Sequence, residues 1–371
     1  MAKKSIAFII HSMSSGGAER VVSILSNELI NNYQVYIFTL TNAPSFYKLN
    51  KQVVLVPGLN DMKPSANFIS SLKLNYRLQN LIYENLKRYN IDACIAFMTS
   101  TNIISTLAAR RAKVPVIISE RNNPFAQKNN LNSFWHILRR YVYPVSDRLI
   151  VQTDRVAKFY EPFIHERKLI VIPNPINPDF KYDYEIQRKN IILNVGSLEN
   201  QKGQKILIEA FNKLQINDWE LHIVGEGSKK KDLQHLIQKY NLEQRVFLLG
   251  RISKIDQLYS TSKIFAFSSR FEGFPNALLE AMHFGLPCIS TDCPTGPSEL
   301  IRNGENGFLI PVDDIDLLSK KMKLLIDNES LRMNLGEQAK SSVHSYSSDK
   351  IVKKWSITLE KLLSEKSSVH G

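Results

Sequence analysis

The sequence predicts an α/β protein built from two Rossmann-like domains, each around a parallel β-sheet. Three observations support this prediction. The 371 residues exceed what one ordinary hydrophobic core organises. Short β-branched runs alternate with amphipathic stretches, which is typical of parallel sheets with helices on both faces. The alternation breaks once, at a segment with three prolines in residues 173–178.

The first half of the chain begins with a predicted strand at 5–11 and a helix at 17–31. Further strands are predicted at 34–40, 53–56, 93–97, 114–119, 148–151 and 169–172, with helices at 69–89, 101–111 and 133–143. In the second half the predicted strands are 191–195, 220–224, 246–249, 264–268 and 287–290, and the helices are 204–213, 229–239, 277–284, 315–325 and 347–363.

The proline segment is the predicted domain boundary, because closely spaced prolines cannot continue a helix or a central strand. We therefore expect one domain at 1–173 and a second at 174–346, facing each other across a cleft. Ligands of open α/β sheets bind at the carboxyl ends of the strands, so functional residues are expected in the loops that follow strands.

Composition narrows the class of protein. Three sparse cysteines argue against a disulfide framework or zinc site, and no signal peptide or membrane-spanning run is evident, so we expect a cytoplasmic protein. Residues 1–175 carry 22 Lys and Arg against 10 Asp and Glu, whereas residues 176–371 carry 26 against 25. This excess indicates a polyanionic partner, either nucleic acid or an acidic membrane face, or else a solvated basic surface.

Several strand–loop junctions carry glycines. Gly16 and Gly17 separate the first strand from the first helix, where backbone N–H groups can approach an anion. Gly196 ends a later strand and is followed by Lys202, a compact charge that suits a diphosphate. Gly225 ends the next strand. Taken singly, each of these junctions can equally be a plain turn.

The strongest motif places two carboxylates eight residues apart. Glu272 lies in a loop after a predicted strand, and Glu280 lies in the following helix among apolar residues. Two such carboxylates can accept hydrogen bonds from different hydroxyls of one extended ligand, and the helix start offers free N–H groups to a phosphate. A glutamate that merely complements the helix dipole is the alternative. Residues 292–300 form another loop-to-helix junction, interpreted as a lid or a capped helix start.

Together these motifs resemble the retaining glycosyltransferases of family 4 (GT4), which have the two-domain GT-B fold. The resemblance covers nearly the whole chain and implies a UDP-sugar donor, no cofactor and no required metal. It also implies that the C-terminal helix, at about 347–371, returns to the first domain. Retention without an evident nucleophile favours front-face attack by the acceptor hydroxyl.

The resemblance also implies residue roles. Glu272 would hold the donor sugar, Glu280 the ribose and Lys202 the diphosphate. Backbone groups near Phe274, Pro275 and Asn276 would face the diphosphate and sugar. Gly16 and Gly17 would close against the diphosphate and acceptor, with Gly196 and Gly225 in the nucleotide-binding loops.

Two departures from the family pattern are visible. Ser197 stands where the family has an arginine, so we expect Arg270 or Arg251 to compensate. Arg121 stands where many relatives have a histidine, so Glu120 or Arg121 is the expected acceptor-side catalytic residue.

The acceptor is expected at a membrane. Residues 72–89 and 132–143 read as cationic amphipathic helices, which suit an anionic interface unless they are ordinary core-facing helices. Residues 15–20 and 134–144 look like those of bacterial enzymes that add N-acetylgalactosamine to undecaprenyl-diphosphate-linked sugars. That implies a polyprenyl-diphosphate-linked acceptor at the cytoplasmic face of the inner membrane, in surface-polysaccharide assembly.

Two other functions remain possible from the sequence. A nucleotide-sugar epimerase could share the two-domain fold without an acceptor site. A nucleic-acid-binding protein would explain the basic half but not Glu272 and Glu280, and the sequence carries no nucleic-acid-binding motif, so nucleic acid is not an expected partner.

Overall fold

The structure is a computed structural model that describes residues 3–60, 68–125, 133–182 and 186–367. The chain forms two compact units. Unit 1 contains Met1–Pro175 together with Ser348–Gly371, and unit 2 contains Ile176–Ser347. The chain thus returns to unit 1 with its last residues.

Unit 1 is built on a parallel sheet that has seven strands among the described residues. The strands are β1 (Ser5–Ile10), β2 (Gln34–Thr39), β3 (Val54–Val56), β4 (Ala93–Phe97), β5 (Val116–Ser119), β6 (Arg148–Val151) and β7 (Leu169–Val171). Their spatial order is β3-β2-β1-β4-β5-β6-β7. All strand pairs are parallel, so the carboxyl ends of β1 and β5 lie at one edge.

Helices cover both faces of this sheet. They are α1 (Gly17–Leu29), α2 (Phe68–Arg88), α3 (Thr99–Ala112), α4 (Ser133–Val142) and α5 (Asp154–Tyr160). Side chains alternate between the faces of a strand. In β1, Ala7 and Ile9 pack with α2, α3, α4 and α5, whereas Phe8 packs with α1 and with the last helix of the chain.

Unit 2 is built on a parallel sheet with six strands in the described part of the chain. The strands are β8 (Ile191–Val195), β9 (Glu220–Val224), β10 (Val246–Gly250), β11 (Ile264–Phe267), β12 (Cys288–Thr291) and β13 (Phe308–Ile310), in the order β10-β9-β8-β11-β12-β13. The order reverses at β8, between β9 and β11, which is where ligands bind in sheets of this type.

The helices of unit 2 are α6 (Gln204–Asn212), α7 (Lys230–Lys239), α8 (Ile255–Thr261), α9 (Asn276–His283), α10 (Pro297–Leu300), α11 (Ile315–Asp327) and α12 (Glu329–Ser342). The chain then ends with α13 (Ser348–Ser367), which belongs to unit 1. In β8, Ile192 packs under α6, α7 and α11, while Leu193 packs under α8 and α9 on the other face.

The predicted fold class, two parallel-sheet α/β domains, is confirmed. The strand β13 and the helices α5, α8 and α12 were not predicted, whereas α10 lies in the predicted loop-to-helix junction at 292–300. The helices α5 and α8 have seven residues each, too few for a helical periodicity to show. The longer α12 buries Leu335 as its one large aliphatic side chain, and its Arg332 guanidinium instead donates to the carbonyls of Leu325 and Ile326 at the end of α11.

Candidate functional site

The candidate donor site lies at the carboxyl edge of the unit 2 sheet. Lys202 ends a short 3-10 turn after β8, and Glu272 lies in the loop between β11 and α9. Lys202 Nζ is 2.6 Å from Glu272 Oε1, and their side chains are only 19% and 6% exposed. The structure therefore brings the two predicted residues together as a largely buried ion pair.

Two hydrogen bonds to backbone carbonyls join the loop that carries Lys202 to the loop that carries Glu272. Gln201 Nε2 donates to the Phe271 carbonyl at 2.8 Å, and the Arg270 N–H donates to the Gln201 carbonyl at 2.7 Å. Gly203, at φ +62°, lies so close to the Ser268 carbonyl that a Cβ would collide with it. The lysine loop thus needs glycine here, both for its left-handed backbone and for the close approach.

Glu280 lies within α9 and is only 4% exposed. The hydroxyl of Tyr259, in α8, donates to Glu280 Oε2 at 2.9 Å. A buried carboxylate is costly unless it is hydrogen-bonded, and Tyr259 supplies such a bond. Tyr259 was not predicted as a site residue, because its helix carries no recognisable motif.

Arg270, which was expected to compensate for the missing arginine, binds other residues of unit 2 in this structure. Its Nε donates to both carboxylate oxygens of Asp313 at 2.9 and 3.1 Å, and its Nη1 donates to the Asn200 carbonyl at 2.9 Å. Ser197 accepts a bond from Gln204 at its carbonyl, at 3.0 Å. Arg251 follows β10 and is exposed. Among the predicted cations of unit 2, Lys202 is the one that contacts a predicted carboxylate.

The remaining predicted residues of unit 2 shape the same edge. Gly225 has φ +145°, and its α-carbon lies against the Gly196 carbonyl. The loops after β8 and β9 are therefore in contact at two glycines. Phe274 is buried, Pro275 precedes α9 and Asn276 is its first residue. The Thr295 hydroxyl, from the predicted lid, donates to the Glu272 carbonyl. Residues 292–300 therefore contact the donor-site loop directly.

In unit 1, Gly16 and Gly17 lie at the start of α1, as predicted. Gly16 accepts a bond from the Tyr47 hydroxyl at 2.9 Å. The Glu19 carboxylate folds back against the Gly16 α-carbon. An anion that bound at this helix start would have to displace that carboxylate.

Glu120 follows β5 and is 1% exposed. Its Oε2 accepts hydrogen bonds from the hydroxyls of Thr99 at 2.8 Å and Tyr143 at 2.7 Å. Its Oε1 accepts from the backbone N–H groups of Arg121 and Asn122, both at 3.1 Å. Burial and the Glu120 charge raise the pKa of Tyr143 well above its usual range. The carboxylate is thus the centre of a hydrogen-bonded cluster within unit 1.

Arg121 is also buried. Its Nη1 donates to Asn174 Oδ1 at 2.6 Å, and its guanidinium carbon lies 5.1 Å from the ring centre of Phe97 and 5.6 Å from that of Trp355 in α13. Asn174 lies in the proline segment and Trp355 in the predicted C-terminal helix, and neither was predicted as a site residue, so sequence reasoning missed both contacts.

Two family models match the chain in succession. Glycosyltransferase Family 4 matches residues 15–180, and Glycosyl transferases group 1 matches residues 178–342. A Campylobacter jejuni protein named N-acetylgalactosamine-N,N'-diacetylbacillosaminyl-diphospho-undecaprenol 4-alpha-N-acetylgalactosaminyltransferase is 31% identical over 94% of this chain and 98% of its own length. The chain belongs to the family 4 glycosyltransferases.

A second relative agrees with this membership, and a solved structure shares the fold. A second Campylobacter jejuni transferase, named for GalNAc-alpha-(1->4)-GalNAc-alpha-(1->3)-diNAcBac-PP-undecaprenol, is 29% identical over 94% of this glycosyltransferase and 96% of its own length. Anabaena HepE, solved in complex with UDP, superposes with a TM-score of 0.80 at 18% identity over 96% of this chain and all of its own. The predicted GT-B fold is confirmed.

The described residues contain neither a membrane-spanning helix nor a cluster of metal ligands. None of the helices in the described part of this glycosyltransferase has both the length and the apolar character needed to cross a bilayer. Likewise, nowhere among those residues do three or more His, Cys, Asp or Glu side chains gather as a metal site would require.

Proposed function

We propose that this glycosyltransferase moves a hexose or hexosamine, with N-acetylgalactosamine as the first choice, from a UDP-sugar to a sugar on a polyprenyl diphosphate. The observation that carries the proposal is the pairing of Lys202 with Glu272 beside the buried Glu280 at the carboxyl edge of unit 2. The names of the two Campylobacter jejuni relatives, which include N-acetylgalactosamine and undecaprenol, support the acceptor class. Such an enzyme would serve bacterial surface-polysaccharide or glycan assembly.

Donor binding would exchange partners within the site. Lys202 would leave Glu272 for the diphosphate of UDP, and the freed carboxylate would accept hydrogen bonds from hydroxyls of the donor sugar. Glu280, already oriented by Tyr259, would accept from the ribose hydroxyls. The exchange leaves neither charged group without a partner, because the ammonium gains an anion and the carboxylate gains hydrogen bonds from hydroxyl donors.

The reaction would retain the anomeric configuration. The acceptor hydroxyl attacks the anomeric carbon from the face that the diphosphate leaves. Its oxygen forms a C–O bond as the bond to the diphosphate breaks, and the hydroxyl proton passes to the departing diphosphate oxygen. The negative charge that develops on the departing UDP is stabilised by Lys202 and by the N–H groups at the start of α9. No cofactor takes part in this scheme, and no metal is required by it.

Unit 1 would face the membrane that carries the acceptor. It holds 27 Lys and Arg against 13 Asp and Glu, whereas unit 2 holds 21 against 22. The side chains of Ile69, Leu72 and Tyr76 in α2, and of Ile137 and Tyr141 in α4, are exposed beside cationic neighbours. Exposed apolar side chains among cations suit an anionic membrane surface.

The structure changes which residues can test that surface. Arg139, one of the two predicted cations of α4, is 3% exposed and its guanidinium lies 5.0 Å from the ring centre of Phe159. Charge reversal there would disturb the core, whereas Arg140 is exposed. In the same segment, Asn132 and the side chain of Phe134 lie outside the described residues.

Radiolabelled UDP-sugars screened against lipid-linked acceptors test the proposal directly. We expect UDP release and label transfer only when both substrates are present, with undiminished rates in EDTA. UDP-sugar conversion without an acceptor would instead indicate an epimerase. A salt-dependent shift on DNA with no affinity for UDP would favour a nucleic-acid-binding protein.

Liposome flotation tests the membrane surface. Ile137→Ser with Tyr141→Ser should reduce binding to anionic liposomes severalfold, since two exposed apolar contacts are lost. The matched control is Leu324→Ser with Met333→Ser, which removes two exposed apolar side chains from unit 2. Equal flotation of both double variants and the parent would remove the membrane argument.

A further inference from the structure

The buried guanidinium of Arg121 has more hydrogen-bond donors than acceptors around it. The residue is 8% exposed, and Nη1 is bonded to Asn174. Within the described part of the chain, Nε and Nη2 are buried and have no hydrogen-bond partner. Leaving buried donors of a charged group unsatisfied is costly in free energy. We therefore expect these two N–H groups to donate to an acceptor on a bound ligand.

The orientation of the guanidinium is fixed. The rings of Phe97 and Trp355 stack at 5.8 Å between centres, and the guanidinium carbon lies within 5.6 Å of both. Asn174 accepts the hydrogen bond from Nη1 and so fixes the third nitrogen of the guanidinium. The fork is therefore ordered before any ligand arrives, which lowers the entropy cost of binding. The indole N–H of Trp355, in the same cluster, is likewise buried without a partner among the described residues.

Glu120 does not serve as the missing acceptor. Its two oxygens already accept bonds from Thr99, Tyr143 and two backbone N–H groups. Its carboxylate stabilises the charged Arg121 guanidinium electrostatically rather than as a hydrogen-bond acceptor. Burial lowers the pKa of Arg121 to about 9, against the opposing effect of Glu120, so the guanidinium remains protonated at neutral pH.

We propose that the Nε–Nη2 edge of Arg121 binds two oxygens of a phosphate group. These two nitrogens carry the parallel N–H pair that matches an oxyanion in a bidentate contact. Arg121 follows β5, so the contact lies at the carboxyl edge of the unit 1 sheet, where ligands of parallel sheets bind. The inference rests on the proposed function, since the phosphate would belong to the lipid-linked acceptor or to the nucleotide donor.

Titration calorimetry of the full chain with inorganic pyrophosphate tests the site. The Lys202→Met background removes the expected diphosphate cation of unit 2. In that background, adding Arg121→Met should weaken pyrophosphate binding about 10- to 100-fold, because a charge-assisted bidentate contact is lost. Arg121→Lys keeps the charge without the fork and should weaken it about 10-fold, which keeps the test valid if the Met variant fails to fold.

The matched control is Arg139→Lys, since Arg139 is another buried arginine of unit 1 that contacts aromatic rings. It should leave pyrophosphate affinity unchanged. If Arg121→Lys lowers the melting temperature while pyrophosphate binding stays at the parent value, Arg121 is only a packing residue and the proposal is overturned.

The source of the phosphate follows from two further probes on the otherwise unchanged chain. Weaker binding of farnesyl diphosphate by Arg121→Lys, with UDP affinity intact, assigns the contact to the acceptor; weaker UDP binding assigns it to the donor. The proposed function can fail separately. Pyrophosphate binding at Arg121 without transfer from any UDP-sugar would contradict the proposed function alone. Transfer with unchanged kcat and KM in Arg121→Lys would contradict the phosphate site alone.

Discussion

The two units share one architecture but treat their buried carboxylates differently. In unit 1, Glu120 accepts four hydrogen bonds from side chains and backbone of the same unit. In unit 2, Glu272 is held by one ammonium, that of Lys202, at 2.6 Å. A carboxylate with four local donors is part of the fold, whereas one paired with a lysine side chain can exchange that partner for a ligand. Burial alone thus does not distinguish structural from functional carboxylates. The number and kind of their hydrogen-bond donors distinguish them.

The largest expected effect is on Lys202. Replacing it with Met should lower donor kcat/KM by about 100- to 1,000-fold, because the departing diphosphate loses its principal cation. It should also destabilise the chain by about 3 kcal/mol, since Glu272 becomes a buried unpaired charge. Turnover of UDP-sugar and urea unfolding measure the two effects.

A double variant separates them. Lys202→Met with Glu272→Gln should recover most of the stability, because no uncompensated charge remains, but none of the activity. If the double variant unfolds as readily as Lys202→Met alone, the ion pair does not stabilise the loop and the comparison with Glu120 fails.

Glu280 comes next. Glu280→Ala should lower donor kcat/KM by about 100-fold, mainly through a raised KM, because the expected ribose acceptor is lost and the Tyr259 hydroxyl loses its partner. Tyr259→Phe leaves the carboxylate in place and should cost less than 10-fold by the same reasoning. Initial-rate kinetics over a range of UDP-sugar concentrations measure both. Unchanged donor KM in Glu280→Ala would contradict the site assignment.

In unit 1 the expected effect is on stability instead. Glu120→Ala should lower the free energy of unfolding by about 3 kcal/mol, because the hydroxyls of Thr99 and Tyr143 lose a charged acceptor. UDP affinity, measured by calorimetry, should stay at the parent value if unit 2 provides the nucleotide site. Glu161→Ala, at an exposed position of the same unit, is the control. A large loss of UDP affinity with normal stability would reverse the roles assigned to the two units.

The smallest expected effect is a pH dependence. Burial, reinforced by the Lys340 charge, lowers the pKa of His283 in unit 2 below 6.5. The unfolded chain therefore binds the extra proton first, so stability is full above pH 6.5 and is lost as the pH falls towards the lowered pKa. His283→Gln should flatten the melting temperature between pH 5 and pH 7, and the exposed His235→Gln should not. His11 in unit 1, whose pKa burial also lowers, adds a further share of the same sign.

The sequence predicted the elements of both sheets well, because buried parallel strands are short, β-branched and evenly spaced. Twelve of the described strands follow predicted runs, and β13 was missed although it is no shorter than β3 and β7. Glu272 and Lys202 could be assigned to one donor site in advance, since both lie in loops that follow strands, but their ion pair was not predicted. Tyr259, Asn174 and Trp355 could not be assigned to a site in advance, because each reaches its partner through contacts between segments distant in sequence.

The membrane interpretation of the helices shows the same limit. The segment 72–89 reads as cationic and amphipathic, yet Leu78, Ile82 and Leu86 pack into the unit 1 core. Sequence periodicity identifies an apolar face but not what covers it. Among the described side chains of this helix, the large apolar ones that remain exposed to a partner are those of Ile69, Leu72 and Tyr76.

The last helix has a consequence for synthesis on the ribosome. Ile351, Trp355, Leu359 and Leu362 of α13 complete one of the two core faces of unit 1. These residues leave the ribosome after the whole of unit 2, whereas domains usually fold in the order of their synthesis. Synthesis of unit 1 therefore begins before that of unit 2, but the core of unit 1 can be completed only after unit 2 has been synthesised. A nascent chain that stalls before residue 348 would carry a folded unit 2 and an uncovered apolar sheet face, a target for chaperones.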